Sequence, residues 1–375
     1  METKLPKPGL VKTVRLIQAS KIYERRMQKH TLQQLFWECT LRCNLSCLHC
    51  GSDCRTIAET QDMPLEDFLA VLDDVRQVMD PKRILVITTG GEPLVRKDIC
   101  ECGKAIRERG FHWGMVSNGL LLDEKMCCRL LDAGLESIAI SMDGFEDDHN
   151  WMRGNKLSFA AAERAVKSLV GKKIAWDVIT CVNNKNIGYL SDFKRYLIGL
   201  GVHKWRIFTI VPMGRAALYP ELQLSDGQFR EVMDFIAAVR KEKSINLSFS
   251  CEGYLGDYEW QVRNYPFFCQ AGVNVASILA DGSISGCLSI RSQYHQGNIY
   301  KEKFTDVWEN KFLPYRHREW MHTGPCAECD AWEFCQGNGM HLRDDDGKLM
   351  LCKYQKPLPG PGLTPGPSPR GEGSR

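Results

Sequence analysis

Three cysteines stand within eight residues in Cys43-Asn-Leu-Ser-Cys47-Leu-His-Cys50, spaced C-x₃-C-x₂-C. Thiolates suit soft metals, and the unequal spacing argues against a zinc ribbon, which repeats C-x₂-C pairs. A [4Fe–4S] cube takes four ligands, so three clustered thiolates leave one iron free to bind another molecule. A catalytic zinc keeps one position open for the same reason. A plain electron carrier or a chance cysteine cluster is the bland alternative, and the rest of the chain bears on it.

Seventeen cysteines are the outlier in a composition otherwise ordinary for a globular protein, 43% hydrophobic and 25% charged over 375 residues. That length predicts one large domain and a smaller one. There is no apolar run of signal-peptide length at the start and no window long enough to span a membrane. The expected compartment is the cytoplasm, where clustered cysteines read as metal ligands rather than disulfides. A net charge of +3 gives no reason to expect nucleic acid. Residues 1–31 hold eight Lys/Arg against two Asp/Glu, a basic extension of +6 that leaves −3 for the remainder. Its Val11, Val14, Leu16, Ile17 and Ile22 predict a helix with a partly apolar face, packed on the body of the protein.

The elements that position the triad alternate in type. Apolar strands are predicted over 32–38, 83–88, 112–117, 137–141, 174–181 and 205–211. Helices are predicted over 64–79, 97–109, 123–133, 158–170, 189–200 and 225–241, with Gly110, Gly134 and Gly201 as stops. Six strand–helix units require a parallel sheet, either a curved barrel or a doubly wound sheet. Polar turn motifs follow the strands: Gly90-Gly91-Glu92-Pro93, Ser117-Asn118-Gly119, Ser141-Met142-Asp143-Gly144 and Thr180-Cys181-Val182-Asn183. Each is compatible with ordinary turn chemistry. Their recurrence at successive strand ends is what a ligand site at one mouth of a sheet requires.

The cysteine triad, with His49 just before its last member, resembles the signature of radical S-adenosylmethionine (radical SAM) enzymes. The resemblance implies a partial (β/α)₆ TIM-like barrel. It also implies SAM chelated to the open iron and cleaved to a 5′-deoxyadenosyl radical that abstracts hydrogen from a substrate. Cys43, Cys47 and Cys50 would hold the cluster, and Gly90, Gly91, Glu92 and Pro93 match the element that binds the SAM amino group. Ser117, Asn118, Ser141, Asp143 and Asn183 are the further SAM contacts expected. His149 and Arg153-Gly154 resemble an H-x₃-R-G run in which Arg153 meets the SAM carboxylate. Pro212 to Ala216 resembles a P-x-G-R-A element found in cores that carry a second cluster domain.

That second domain is marked by Cys269-x₁₂-Gly282-x₄-Cys287 and by Cys326-x₂-Cys329-x₅-Cys335 followed by Cys352. These spacings resemble the SPASM domain, which implies one or two auxiliary iron–sulfur clusters. Cys326, Cys329, Cys335 and Cys352 make one complete set, for which zinc is the bland alternative. Cys269 and Cys287 begin a second set. The family pattern continues Cys335 with x₃-Cys, and this chain has Gly339 there, so the second set is short and Cys251 is its nearest supplement. Leu288 stands where sulfatase-maturing members carry an aspartate base, which argues against a formylglycine-forming activity; no catalytic base is assigned, Glu252 and Asp281 being only nearby candidates. Cys39, Cys54, Cys100, Cys102, Cys127, Cys128 and Cys181 fit no ligand set and read as free thiols.

The expected organisation is a basic extension at 1–31, a radical SAM core at 32–245, a SPASM domain at 246–356 and a disordered Pro/Gly-rich tail at 357–375. The stretch from Leu35 to Cys54 resembles a SPASM subfamily paired with small lipoproteins in anaerobic bacteria. It implies a ribosomally made peptide or protein substrate, such as a small lipoprotein precursor. It also implies an electron donor such as ferredoxin or flavodoxin. The alternatives are a small molecule such as a tetrapyrrole side chain and, in another class, a non-catalytic Fe–S electron carrier.

Overall fold

The computed structural model describes residues 7–290 and 294–354. The tail expected at 357–375 lies outside the described residues. Seven parallel strands carry the core: β1 (Gln34–Thr40), β2 (Leu85–Gly90), β3 (His112–Ser117), β4 (Ser137–Ser141), β5 (Ala175–Val182), β6 (Lys204–Thr209) and β7 (Asn246–Phe249). They neighbour one another in chain order, so the sheet winds one way and its strands all end at one mouth. The sequence predicts six of them. The seventh, β7, is four residues long and was not expected.

Helices return each strand to the next, as parallel pairing demands. They are α2 (Leu65–Val78), α3 (Ile99–Glu108), α4 (Glu124–Asp132), α5 (Glu146–Arg153), α6 (Ser158–Leu169), α7 (Leu190–Gly199) and α8 (Asp226–Glu242), while α1 (Leu10–Lys29) precedes β1. In α2 the buried Phe68, Val71, Leu72 and Val75 recur at helical spacing and form the face laid on the sheet. Phe68 stacks on Trp37 of β1 with ring centroids 4.2 Å apart. Truncating a fully buried side chain such as Leu72 to alanine would cost about 2–5 kcal/mol. Helix α8 starts on a capping box, Ser225 and Gln228 each satisfying the other's backbone N–H.

On the other side of β1 lies β8 (Val275–Ile278), also parallel, followed by the antiparallel β9 (Ser283–Ser285) and β10 (Gly297–Asn298). The cysteine-rich region therefore joins the same sheet as the core. Helix α1 docks on this region through Leu16, through Tyr23 stacked on Phe268 at 4.3 Å, and through Lys12 on Asp257 at 2.8 Å. The apolar face expected there is not the docked one, for Val11, Val14, Ile17 and Ile22 are exposed. Buried Leu16, the stacked Tyr23 and the polar contacts of Lys12 and the Tyr23 hydroxyl hold the helix instead. No helix among the described residues is long and apolar enough to cross a membrane.

Candidate active site at the mouth of the sheet

The cysteine loop leaves β1 at a register irregularity between Glu38 and Thr40. Three other segments pin it. Cys43 N–H donates to Arg55 O at 2.7 Å, and Leu48 N–H to Met152 O of α5 at 2.9 Å. Arg215 donates through Nε to Cys47 O at 2.8 Å and through Nη1 to Cys54 O at 2.9 Å and Asp53 Oδ1 at 2.7 Å. Its backbone N–H donates to Cys50 O at 3.0 Å. Gly214, at φ +54°, lies so close that an added Cβ would sit 2.4 Å from Gly51 O. The element from Pro212 to Ala216 thus straps the loop, a role its motif did not reveal.

The three sulfurs face hydrogen-bond donors. Asn118 Nδ2 lies 3.9 Å from Cys43 Sγ, Arg153 Nη1 3.7 Å from Cys47 Sγ, and Cys54 N 3.4 Å from Cys50 Sγ. Burial pushes the Cys43 thiol up to about 12, whereas a hydrogen bond from the Cys54 side chain brings Cys50 down to about 6. Donors to sulfur favour the thiolate, the form a metal binds. Soft thiolates, a convergent triad and N–H donors around it fit an iron–sulfur cluster.

The turn after β2 rests on this loop. An added Cβ on Gly90 would lie 2.1 Å from Thr40 O, and one on Gly91 2.1 Å from Arg42 O. The two glycines serve first to let the turn lie against the loop's own backbone, with Gly91 N–H bonded to Thr40 O and Glu92 N–H to Arg42 O. Pro93 begins a short 3₁₀ turn whose Leu94 N–H donates to the Glu92 carboxylate at 3.2 Å. Glu92 also accepts from Ser117 Oγ at 2.8 Å and Asn118 N at 2.7 Å. Burial nevertheless lifts its carboxyl to about 7. Asn118 is further tied to Asn44 Oδ1 at 2.8 Å, so Glu92, Ser117, Asn118 and Asn44 form one network.

Across the mouth lies a buried pair. Asp143 accepts from Arg153 Nε at 2.7 Å and from Cys181 N at 2.9 Å. Burial works to raise Asp143, but Arg153, His49 and His149 hold it below the usual carboxylate range. His149 accepts the Asp143 N–H at 3.0 Å and meets Ser158 Oγ at 2.9 Å, which makes it a brace. Asn183 is spent on its own turn, accepting from Lys185 N and donating to Cys181 O. Ser141 ends β4, half-buried.

One meeting at this mouth escaped the sequence reading, although its residues were singled out there. His49 Nε2 stands 3.9 Å from Asp143 Oδ2, and with Cys181 these residues offer ligand atoms within 4.8 Å of one another. No sequence signal joins positions this far apart. His49 Nδ1 and Asn44 Nδ2 are buried with no hydrogen-bond partner. Such orphaned atoms within the loop suit a polar ligand. Their presence fits SAM beside the triad.

The remaining cysteines fall into two groups. Cys335 lies within electrostatic reach of Cys326, Cys329 and Cys352, and Arg343 Nη2 is 3.5 Å from Cys326 Sγ. Cys251 lies within reach of Cys269 and Cys287. Between the mouth and both groups sits Glu252, which accepts from Thr209 N at 2.6 Å and Ser250 Oγ at 3.1 Å and pairs with Lys353 Nζ at 3.4 Å. Both charges are buried, and each adjoins one cysteine group in sequence. Of the cysteines read as free thiols, Cys39, Cys54, Cys102 and Cys127 are buried and Cys128 is exposed.

Comparison with known proteins gives the family of the chain. The profile of the radical SAM superfamily matches residues 37–197, and that of the SPASM iron–sulfur cluster-binding domain matches residues 269–330. The chain is 25% identical over 345 residues to an AdoMet-dependent heme synthase of Oleidesulfovibrio alaskensis, covering 85% of this chain and 86% of that one. It is 28% identical over 312 residues to the mycofactocin maturase MftC of Mycobacterium ulcerans, covering 82% of each. Among solved structures it resembles anSMEcpe with bound AdoMet, at a TM-score of 0.68 and 19% identity, covering 86% of this chain and 93% of that one. It also resembles Streptococcus suis SuiB bound to its precursor peptide SuiA, at 0.59 and 16%, covering 80% and 71%. At these identities the structural likeness is one of fold. The chain belongs to the radical SAM superfamily and carries a SPASM iron–sulfur domain.

Proposed function

We propose that this protein cleaves SAM reductively at the Cys43–Cys47–Cys50 cluster and uses the resulting radical to modify a ribosomally made peptide or protein. The observation that carries the first half is the convergence at one mouth of three thiols, the Asp143–Arg153 pair and two unpartnered nitrogens, His49 Nδ1 and Asn44 Nδ2. Bound there, a [4Fe–4S] cluster with SAM supplies a 5′-deoxyadenosyl radical for hydrogen abstraction. Gly90 to Pro93 shape the turn against the cluster loop, and Glu92 fixes it to Ser117 and Asn118. Arg153 is oriented by Asp143, with a guanidinium available to a carboxylate. Ser141 and Asn183 complete the rim of the cradle. The enclosing strands keep water from the reacting centre. In the second domain Cys326, Cys329, Cys335 and Cys352 hold one auxiliary cluster, and Cys269 and Cys287 with Cys251 form a further site. A ferredoxin or flavodoxin supplies the electron.

The peptide reading is supported by the resemblance over residues 35–54 and by the likeness to a maturase. A second reading, a tetrapyrrole side chain as substrate, is supported by the likeness to heme synthases across most of both chains. Deuterium separates them. Reduced protein with SAM should move deuterium into 5′-deoxyadenosine from a labelled peptide encoded beside it. Transfer from a deuterated iron porphyrin, and none from the peptide, would overturn the peptide reading.

A further inference from the structure

The group of Cys251, Cys269 and Cys287 is one donor short. The three thiols lie within electrostatic reach of one another, Cys269 buried, Cys287 half-buried and Cys251 exposed. A four-iron cube is coordinatively complete only with a fourth ligand. Gly253, two residues after Cys251, lies directly against Asn338, for an added Cβ on Gly253 would sit 2.1 Å from Asn338 Oδ1. Arg263 holds this approach by donating to Gly253 O at 3.0 Å.

At that contact the chain presents an imidazole. An added Cβ on Gly339 would lie 2.8 Å from His341 Cε1, 3.0 Å from Nδ1 and 3.7 Å from Nε2. The His341 ring therefore fills the space into which a side chain at 339 would project. The ring is half-buried, and among the described residues its nitrogens have no hydrogen-bond partner. A neutral imidazole offers a ring-nitrogen lone pair to a metal. Three thiols and one idle imidazole make four donors.

We propose that His341 is the fourth ligand of the auxiliary site formed by Cys251, Cys269 and Cys287, an inference that rests on the reading that this site holds iron. An imidazole in place of a thiolate leaves the centre less negative and raises its potential. It also closes the coordination shell, so the site passes electrons and does not anchor substrate through an open iron.

The test uses full-length protein, reconstituted anaerobically and reduced, in electron spin echo spectroscopy with and without ¹⁵N-histidine. Histidine nitrogen coupling is expected in the wild type and should change on labelling. His341→Cys should keep the iron content, lose the coupling and show a lower midpoint potential. Iron at the site without histidine nitrogen coupling, or coupling that survives His341→Cys, overturns the assignment. If a Cys251→Ser/Cys269→Ser/Cys287→Ser variant holds as much iron as wild type, the underlying reading of the site fails first, and the ligand assignment with it.

Discussion

The cysteine loop at residues 43–50 and the cysteines of residues 251–352 gather thiols in opposite ways. The loop places three sulfurs by local chain geometry and is then strapped from outside by Arg215 and α5. The second region draws its sulfurs from segments far apart in sequence, braced by the buried Glu252–Lys353 pair. A local site needs one strap to hold it shut. A dispersed site needs the interior of the domain to stay folded.

Breaking one brace at a time should separate the two regions. Lys353→Met would leave Glu252 buried without its counter-charge, at a cost of about 3–5 kcal/mol. Denaturant unfolding should show that loss, and iron analysis should show the auxiliary sites depleted while the loop cluster remains. A paired Glu252→Gln/Lys353→Met variant should recover most of the stability. Equal depletion at every site would contradict the separation.

Arg215→Ala is expected to do the reverse with a smaller effect. A hydrogen bond from a charged group is worth about 1.5–3 kcal/mol. The loop is partly open, so the loss should be nearer one bond's worth than three. The loop cluster should exchange iron with a chelator faster than in the wild type, and auxiliary absorption should be unchanged. Unaltered loop exchange would remove the strap from the account.

Tyr23→Phe sharpens the comparison at its weak end. It deletes the hydroxyl that donates to Pro266 O at 2.7 Å but leaves the stacking on Phe268. A loss of about 0.5–1.5 kcal/mol is expected, with both cysteine regions fully loaded. Any change in iron content would mean that α1 supports the auxiliary sites directly.

The same contrast explains what could be read from the chain. Six strands were legible because short apolar runs alternate with helical patterns along the chain, and the triad was legible because its ligands are neighbours. Helix α5 was missed, since Glu146, Asp147 and Asp148 in its first turn leave no apolar periodicity. Strand β7 was too short to stand out, and nothing local says that β8 pairs with β1. At the site, the Cys47–Arg153 contact was within reach of motif reasoning. The meeting of His49 with Asp143 and Cys181, and of His341 with position 339, depends on how separate segments pack. Sequence spacing carries no record of that.

The most direct measurement of the central claim is 5′-deoxyadenosine release by anaerobically reconstituted protein given SAM and dithionite, beside a Cys43→Ala/Cys47→Ala/Cys50→Ala variant that keeps its auxiliary absorption. The account predicts release from the wild type and none from the variant. Equal release from both, or none from a wild type loaded with iron, SAM and substrate, would contradict it.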